Sequence, residues 1–280
     1  MSVLKKILHW LAYPFVGIAF LWSMMRVKQK AKTYAKYPNS MPLEVRYEYV
    51  YKMAKRAVFL RNRKIETYGF EKNPQVPALY IANHKSTFDP IILFKYLYEY
   101  PQTPYFKFVA KKELNQNDFV SCALKLVDTI FIDRENPRSV IEVYRNQTNM
   151  IKERRSIVLF IEGTRIYDID KIGPFHAGAL HIAFNNLCPI VPVVMYGTIG
   201  NNGKYDRKEN VKYVKSKKVY VECLPAIKSN DYMTTNINQL SDSLHDLIET
   251  KYLRIHKLVQ EKRQKEIFEE PDQKPKGIRF

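Results

Sequence analysis

The pattern of apolar and polar positions divides the chain into an apolar N-terminal run, an amphipathic helix, an alternation of short strands and helices, and a long polar helix. Residues 7–25 (ILHWLAYPFVGIAFLWSMM) hold 19 positions without a formal charge, apart from whatever His9 carries. That length just reaches the roughly 20 residues needed to cross a bilayer. Pro14 lies inside the run, and Trp10, Tyr13 and Trp22 suit the boundary between water and lipid. The pattern predicts a membrane-embedded helix that either spans the bilayer or lies in its interface; the alternative is a buried core helix. Residues 41–60 (MPLEVRYEYVYKMAKRAVFL) predict a second helix, packed on the main domain or touching lipid with its aromatic rings.

From residue 65 the pattern changes to short apolar runs separated by turn residues. It predicts strands over 78–82, 106–110, 127–132, 157–161, 190–195 and 219–223. Helices are predicted from Asp89 to about Tyr98, from Pro137 to about Glu153, and from Phe175 to Phe184. Asp89 before Pro90 reads as an N-cap with proline at the first helical position. Strands alternating with helices imply an α/β fold: a mixed, largely parallel central sheet flanked by helices, preceded by an N-terminal membrane-associated helical segment. Residues 233–268 predict a long polar amphipathic helix. The expected organisation is an N-terminal helical region over 1–60, an α/β domain over 61–230, a C-terminal helix over 231–268 and a tail over 269–280.

Charge narrows the choice of partner. The 280 residues carry 46 Lys+Arg against 28 Asp+Glu, a formal charge of +18, which favours an anionic surface or ligand. Nucleic acid is disfavoured, because the aromatic residues fall in apolar or helical patterns and no binding module is recognisable. Lys5 and Lys6 precede the apolar run, while Arg26, Lys28, Lys30, Lys32 and Lys36 follow it. The heavier C-terminal flank predicts that the domain stays on the cytoplasmic side of a membrane. No small-x-small cleavage site follows the run, so a cleaved signal peptide is not expected. A basic segment at 201–218, with seven Lys+Arg, reads as a solvated loop or as a face for anionic lipid or an acidic carrier protein. Cys122, Cys188 and Cys223 fit no C-x-x-C pattern, which favours a reducing compartment and gives no metal site.

Two strings concentrate the chemistry: Asn83-His84-Lys85-Ser86-Thr87-Phe88-Asp89 and Phe160-Ile161-Glu162-Gly163-Thr164-Arg165. A histidine with an aspartate five positions later, at a strand end and the following helix start, can form a base and its orienter. A neutral imidazole is suited to take a hydroxyl proton near pH 7. No serine occupies a G-x-S-x-G elbow, so direct attack by an acceptor hydroxyl is favoured over a covalent acyl-enzyme. Arginine offers bidentate geometry to a phosphate, and Gly163 allows close backbone approach. Glu162 can orient an acceptor hydroxyl or clamp Arg165.

The strings and their neighbours, in order, resemble the 1-acylglycerol-3-phosphate acyltransferase family of glycerolipid acyltransferases. The resemblance runs from Tyr68-Gly69-Phe70-Glu71, through Asn83-His84-x-Ser86-x-x-Asp89, Val109-Ala110-Lys111-Lys112-Glu113-Leu114, Phe131-Ile132-Asp133-Arg134 and Phe160-x-Glu162-Gly163-Thr164-Arg165, to Ile190-Val191-Pro192-Val193. It implies His84 and Asp89 as catalytic base and partner. It places Lys111, Arg134, Glu162, Gly163, Thr164 and Arg165 at the glycerol-phosphate acceptor. It implies no cofactor beyond an acyl-acyl carrier protein or acyl-coenzyme A co-substrate, with lysophosphatidic acid as acceptor and a phospholipid surface as partner. Another lysophospholipid or glycerol-3-phosphate remains open as acceptor. The chain departs from the family pattern at Ile161, where proline is usual, at Ile166, where serine is common, and at His176 and Ala177, which stand for frequent lysines.

Overall fold

The computed structural model of the chain describes residues 3–100, 103–115, 118–146, 149–200 and 218–268. Among them, seven strands form one sheet: β1 (Lys64–Tyr68), β2 (Leu79–Ala82), β3 (Phe106–Lys111), β4 (Ile130–Ile132), β5 (Ser156–Phe160), β6 (Ile190–Tyr196) and β7 (Lys218–Cys223). Their order across the sheet is β1-β7-β6-β2-β5-β3-β4. β6, β2, β5, β3 and β4 all run parallel; β7 turns antiparallel to β6, and β1 follows the direction of β7. The sheet is therefore mixed and largely parallel, with its five-strand parallel block pointing one set of C-terminal ends to a single edge.

Burial on both faces explains why the central strands read as continuous apolar runs. Side chains alternate across β2: Leu79 and Ile81 join one core cluster, Tyr80 and Ala82 the other, and all four are fully buried. One face is covered by α7 (His181–Asn186) and α9 (Ile237–Gln260), with α5 (Pro137–Asn146) packed on α7. α9 carries Leu240, Leu244, Ile248, Tyr252 and Ile255 in a stripe of near four-residue period, all buried. Its start is capped by the Asn236 side chain, which accepts from the Asn238 N–H at 2.9 Å. The opposite face is covered by α1 (Val3–Lys36), α2 (Leu43–Leu60), α3 (Asp89–Glu99) and α4 (Phe119–Leu126).

α1 and α2 form an antiparallel helical pair. The Tyr13 hydroxyl donates to the carbonyl of Leu60 at one end, and Arg46 stacks on the Tyr34 ring at 4.2 Å at the other. Val27 and Ala31 of α1 are buried, while Trp10, Leu11, Phe15, Ile18, Leu21, Trp22 and Met25 are between 53% and 74% exposed. From Trp10 onward α1 is long and apolar enough to cross a bilayer, and only 11% of its most apolar stretch is buried, so this is not a core helix. The pair is fastened to the sheet through Asp128. Its Oδ1 accepts from Tyr34 (2.7 Å) and Arg46 (2.8 Å), and its Oδ2 from Arg155 (2.7 Å). Arg155 also donates to the Tyr47 hydroxyl of α2, which donates in turn to the carbonyl of Phe106 in β3.

Several elements differ from the pattern-based expectation. The strand expected over 127–132 is shorter, because α4 continues to Leu126 and Asp128 takes a left-handed backbone (φ 51°). The helix expected from Pro137 is divided, with α6 (Met150–Glu153) a separate turn begun at Asn149, whose side chain accepts from the Lys152 N–H. The segment expected as a helix from Phe175 starts as a 3-10 turn (Ala177–Leu180) before α7. The helix expected over 233–268 is α9 followed by a 3-10 turn (Gln264–Glu266), and a short helix, α8 (Ser229–Tyr232), precedes it. β1 and α4 were not expected. The basic segment 201–218, except Lys218, and the tail 269–280 lie outside the described residues.

Candidate active site

The expected site residues come from the C-terminal ends of four neighbouring parallel strands. β2 delivers His84 and Asp89, β5 delivers Glu162 to Arg165, β3 ends on Lys111, and β4 leads into Arg134. In open α/β sheets this edge is where ligands bind, because loops converge there on rigid strand ends.

Asn83 sets the geometry immediately after β2. Its side chain acts as an extra rung of the sheet, donating to Met195 O (2.9 Å) and accepting from Met195 N (2.8 Å) on β6. The next residue, His84, is thereby held at the sheet edge. Its Nδ1 lies 2.9 Å from Asp89 Oδ2, and its ring stacks on Phe160 at the end of β5, 4.1 Å between centroids. Asp89 is not an N-cap. Phe88 occupies that position and Asp89 is the first residue of α3, its carboxylate turned back to accept from the N–H groups of Lys85 (2.7 Å) and Ser86 (2.8 Å). Three donors thus converge on one oxygen of a fully buried carboxylate. That arrangement fixes the Nδ1–H tautomer of His84 and leaves Nε2 to accept a proton.

Glu162 closes the far side of the same turn. Its Oε1 accepts from the His84 N–H and its Oε2 from the Gly173 N–H, both at 2.7 Å. The carboxyl is buried, and burial raises its pKa from 4.5 to about 7 against the lowering effect of those N–H groups and of Lys85. The geometry makes it a bridge between two strand-end segments rather than a clamp on Arg165, which instead rests over the Tyr167 ring at 5.6 Å. Glu162→Gln should cost about 1–3 kcal/mol in urea unfolding, because an amide NH2 must face one of the two backbone donors. The pH dependence has a definite sign. A carboxyl raised from 4.5 to about 7 keeps its proton in the native state after the unfolded chain has lost it, so native stability falls as pH rises through that window. The glutamine variant should lack this slope.

Gly163 has φ +65°, a backbone that side-chain-bearing residues rarely adopt. A side-chain carbon there would also stand 2.8 Å from His176 Cδ2 and Nε2, and 3.8 Å from Arg134 Nη1. Gly163, Arg134 and His176 are therefore neighbours, although Arg134 comes from β4, two strands away. Lys111, Thr164 and Arg134 are exposed. Lys111 pairs in register with Ile132, and it is Lys112, not Lys111, that bonds Asp133. Among the described residues, neither Lys111 nor Thr164 bonds the His84 cluster. The sequence does not single out Gly173, which donates to Glu162, or Lys85, which lies against the Tyr252 ring, and it marks His176 only as a departure.

The Acyltransferase family's sequence model matches residues 64–196, from the start of β1 to the end of β6. Over 249 residues the chain is 32% identical to the "Probable 1-acyl-sn-glycerol-3-phosphate acyltransferase" of Mycoplasma genitalium, covering 88% of this chain and 92% of that protein. A protein of the same description from Mycoplasma pneumoniae is 33% identical over 196 residues, covering 70% of this chain and 73% of that protein. The crystal structure of the 1-acyl-sn-glycerophosphate (LPA) acyltransferase PlsC from Thermotoga maritima superposes with a TM-score of 0.65 at 18% identity, covering 91% of this chain and 98% of that one, and so shares the fold. The similarity extends over nearly the whole of the Mycoplasma genitalium relative, and the matched region holds the His84–Asp89 pair and the Glu162–Arg165 turn: the chain belongs to the 1-acylglycerol-3-phosphate acyltransferase family of glycerolipid acyltransferases.

Proposed function

We propose that the protein transfers a fatty acyl group from acyl carrier protein or coenzyme A to the free hydroxyl of 1-acyl-sn-glycerol-3-phosphate, giving phosphatidic acid for phospholipid synthesis. The observation that carries the mechanism is the His84 Nδ1–Asp89 Oδ2 contact of 2.9 Å at a strand end. With Nδ1 engaged, Nε2 takes the hydroxyl proton as the acceptor oxygen attacks the thioester carbon. The C–O bond forms, the C–S bond breaks, and the imidazolium returns its proton to the departing thiolate. Asp89 stabilises the imidazolium in between. The relatives' names support the acceptor, and so does a cationic edge: Arg134 beside Gly163, with Arg165 and Lys111 on adjoining strand ends, suits an anionic phosphate.

The acceptor is a lipid, and α1 gives a reason for the protein to meet it at a membrane. Leu11, Phe15, Ile18, Trp22 and Met25 follow helical spacing along one exposed face, opposite the buried Val27 and Ala31 side. The basic residues that follow the run suit anionic head groups and a cytoplasmic orientation of the domain.

The test is acyl transfer by detergent-solubilised protein, with each donor offered separately and lysophosphatidic acid, glycerol-3-phosphate and other lysophospholipids offered as acceptors. Phosphatidic acid as the main product supports the proposal; preference for another acceptor would replace it. Arg134→Ala and Arg165→Ala are each expected to raise the acceptor KM by about tenfold or more, with the donor KM little changed. An equal effect on both substrates would remove these arginines from the acceptor site.

A further inference from the structure

Lys85 occupies an unassigned position inside the His84–Asp89 turn, and its side chain is fully buried. Its Nζ donates to the carbonyl of Asp168 at 2.8 Å and to that of Lys171, and lies 4.9 Å from the centre of the Tyr252 ring on α9. Both carbonyls belong to the segment that follows the Glu162-Gly163-Thr164-Arg165 turn. That segment is fastened at its two ends as well: the Ile166 N–H donates to His84 O at 2.9 Å, and the Gly173 N–H to Glu162 Oε2. Between those ends, Lys85 is joined by His256 of α9, whose Nε2 lies 3.4 Å from Asp170 Oδ1.

We propose that Lys85 is a positioning residue for the acceptor: its buried ammonium holds residues 164–173 against the His84 turn and so places Arg165 for the acceptor's phosphate. This rests on the phosphate-binding reading of Arg165 given above. An ammonium suits the task because it has three donors and no acceptor, so one side chain can serve two carbonyls and a ring face. Leucine or methionine would fill the space and leave both carbonyls without this donor.

The charge on Lys85 is itself sensitive to pH. Burial lowers its pKa to about 8, opposed in turn by Glu162 at the end of β5, Asp168 in the segment, Asp89 on α3 and Glu249 on α9. The Tyr252 ring also faces the ammonium, His84 is its chain neighbour, and Asp170, Lys171 and His256 are the other titratable groups on or against the segment it holds. Above about pH 8 the amine is neutral, its bonds to the carbonyls weaken, and the ring contact loses its electrostatic part.

The experiment compares wild type with Lys85→Met by two measurements on the full chain in detergent. The first is hydrogen exchange of peptides covering 164–173 without substrate; the second is the acceptor and donor KM between pH 6 and 9.5, with lysophosphatidic acid as acceptor. The expected result is faster exchange in Lys85→Met, an acceptor KM raised about tenfold at pH 7, a donor KM within about twofold, and loss of the rise in acceptor KM that wild type shows above pH 8. Unchanged exchange would overturn the proposal, as would a parallel loss in both substrates. If Lys85→Met does not fold, Tyr252→Leu takes its place; it removes the ring from the ammonium and should move the alkaline rise, and an unmoved rise would overturn the proposal. Faster exchange in a protein whose wild type transfers nothing to lysophosphatidic acid would support the fastening and overturn the substrate reading.

Discussion

Replacing His84 by alanine is expected to lower kcat by about 10²–10⁴-fold, the range that general base catalysis contributes. The effect is on chemistry because the fold around His84 does not depend on its ring. Asp89 Oδ2 keeps its two backbone donors, Lys85 N and Ser86 N, and the His84 backbone N–H still reaches Glu162. The variant gives up one hydrogen bond and the stacking on Phe160, on a side chain still 17% exposed. Its circular dichroism spectrum should match wild type, and its acceptor KM should change less than kcat. Asp89→Asn should also lower kcat: its amide oxygen can keep the two backbone donors, but the negative charge that stabilises the imidazolium is gone. A folded His84→Ala protein within about tenfold of wild-type kcat would remove His84 as the base.

Parts of this site were readable in one dimension because their causes are local. The strands β2, β5 and β6 are buried on both faces, so they appear as unbroken apolar runs that end where the chemistry starts. The spacing of His84 and Asp89 is short enough to be settled by a single turn. Other parts depend on distant partners. β1 (KIETY) lies at the sheet edge with partly exposed side chains, so it lacks both the apolar run and a clean alternation. α4 has only eight residues, too few for a helical period to stand out from an apolar strand.

The largest gap concerns buried charge. Lysine is almost never fully buried unless partnered, and the partners of Lys85 lie 83 and 86 residues away on a segment whose path no local pattern defines. Likewise the sequence leaves Glu162 to orient an acceptor hydroxyl or clamp Arg165, while the fold turns it inward to two backbone donors. A usable signal did exist for Glu162, which directly follows Phe160-Ile161 at a strand end, where a charge needs a reason; Lys85, set between His84 and Ser86, carries no such local mark. The signal seen at Glu162 also marks Asp128, a lone acid between Leu126-Val127 and Ile130 inside the segment whose pattern predicts a strand.

Asp128→Asn should destabilise the protein by about 3 kcal/mol, near the low end for breaking a buried ion pair because a quarter of the Asp128 side chain is open to solvent. The asparagine keeps the shape and tolerates the left-handed backbone of φ 51°, so the change isolates the charge. It leaves Arg46 and Arg155, each with a side chain only 8% exposed, without their carboxylate. Burial alone would raise the Asp128 pKa, but hydrogen bonds from Arg46, Tyr34 and Arg155 outweigh it and hold the carboxyl below its usual value. A depressed pKa means stability that is present above the unfolded value, roughly 3.9, and lost as pH falls below it. Urea midpoints for wild type and variant should therefore differ most at neutral pH and converge in acid. Because Asp128 joins α1, α2 and β5, the loss should first appear as faster hydrogen exchange in residues 26–60, ahead of the sheet. Identical midpoints at pH 7 would show that the two arginines find other partners, and that packing alone holds the helical pair on the domain.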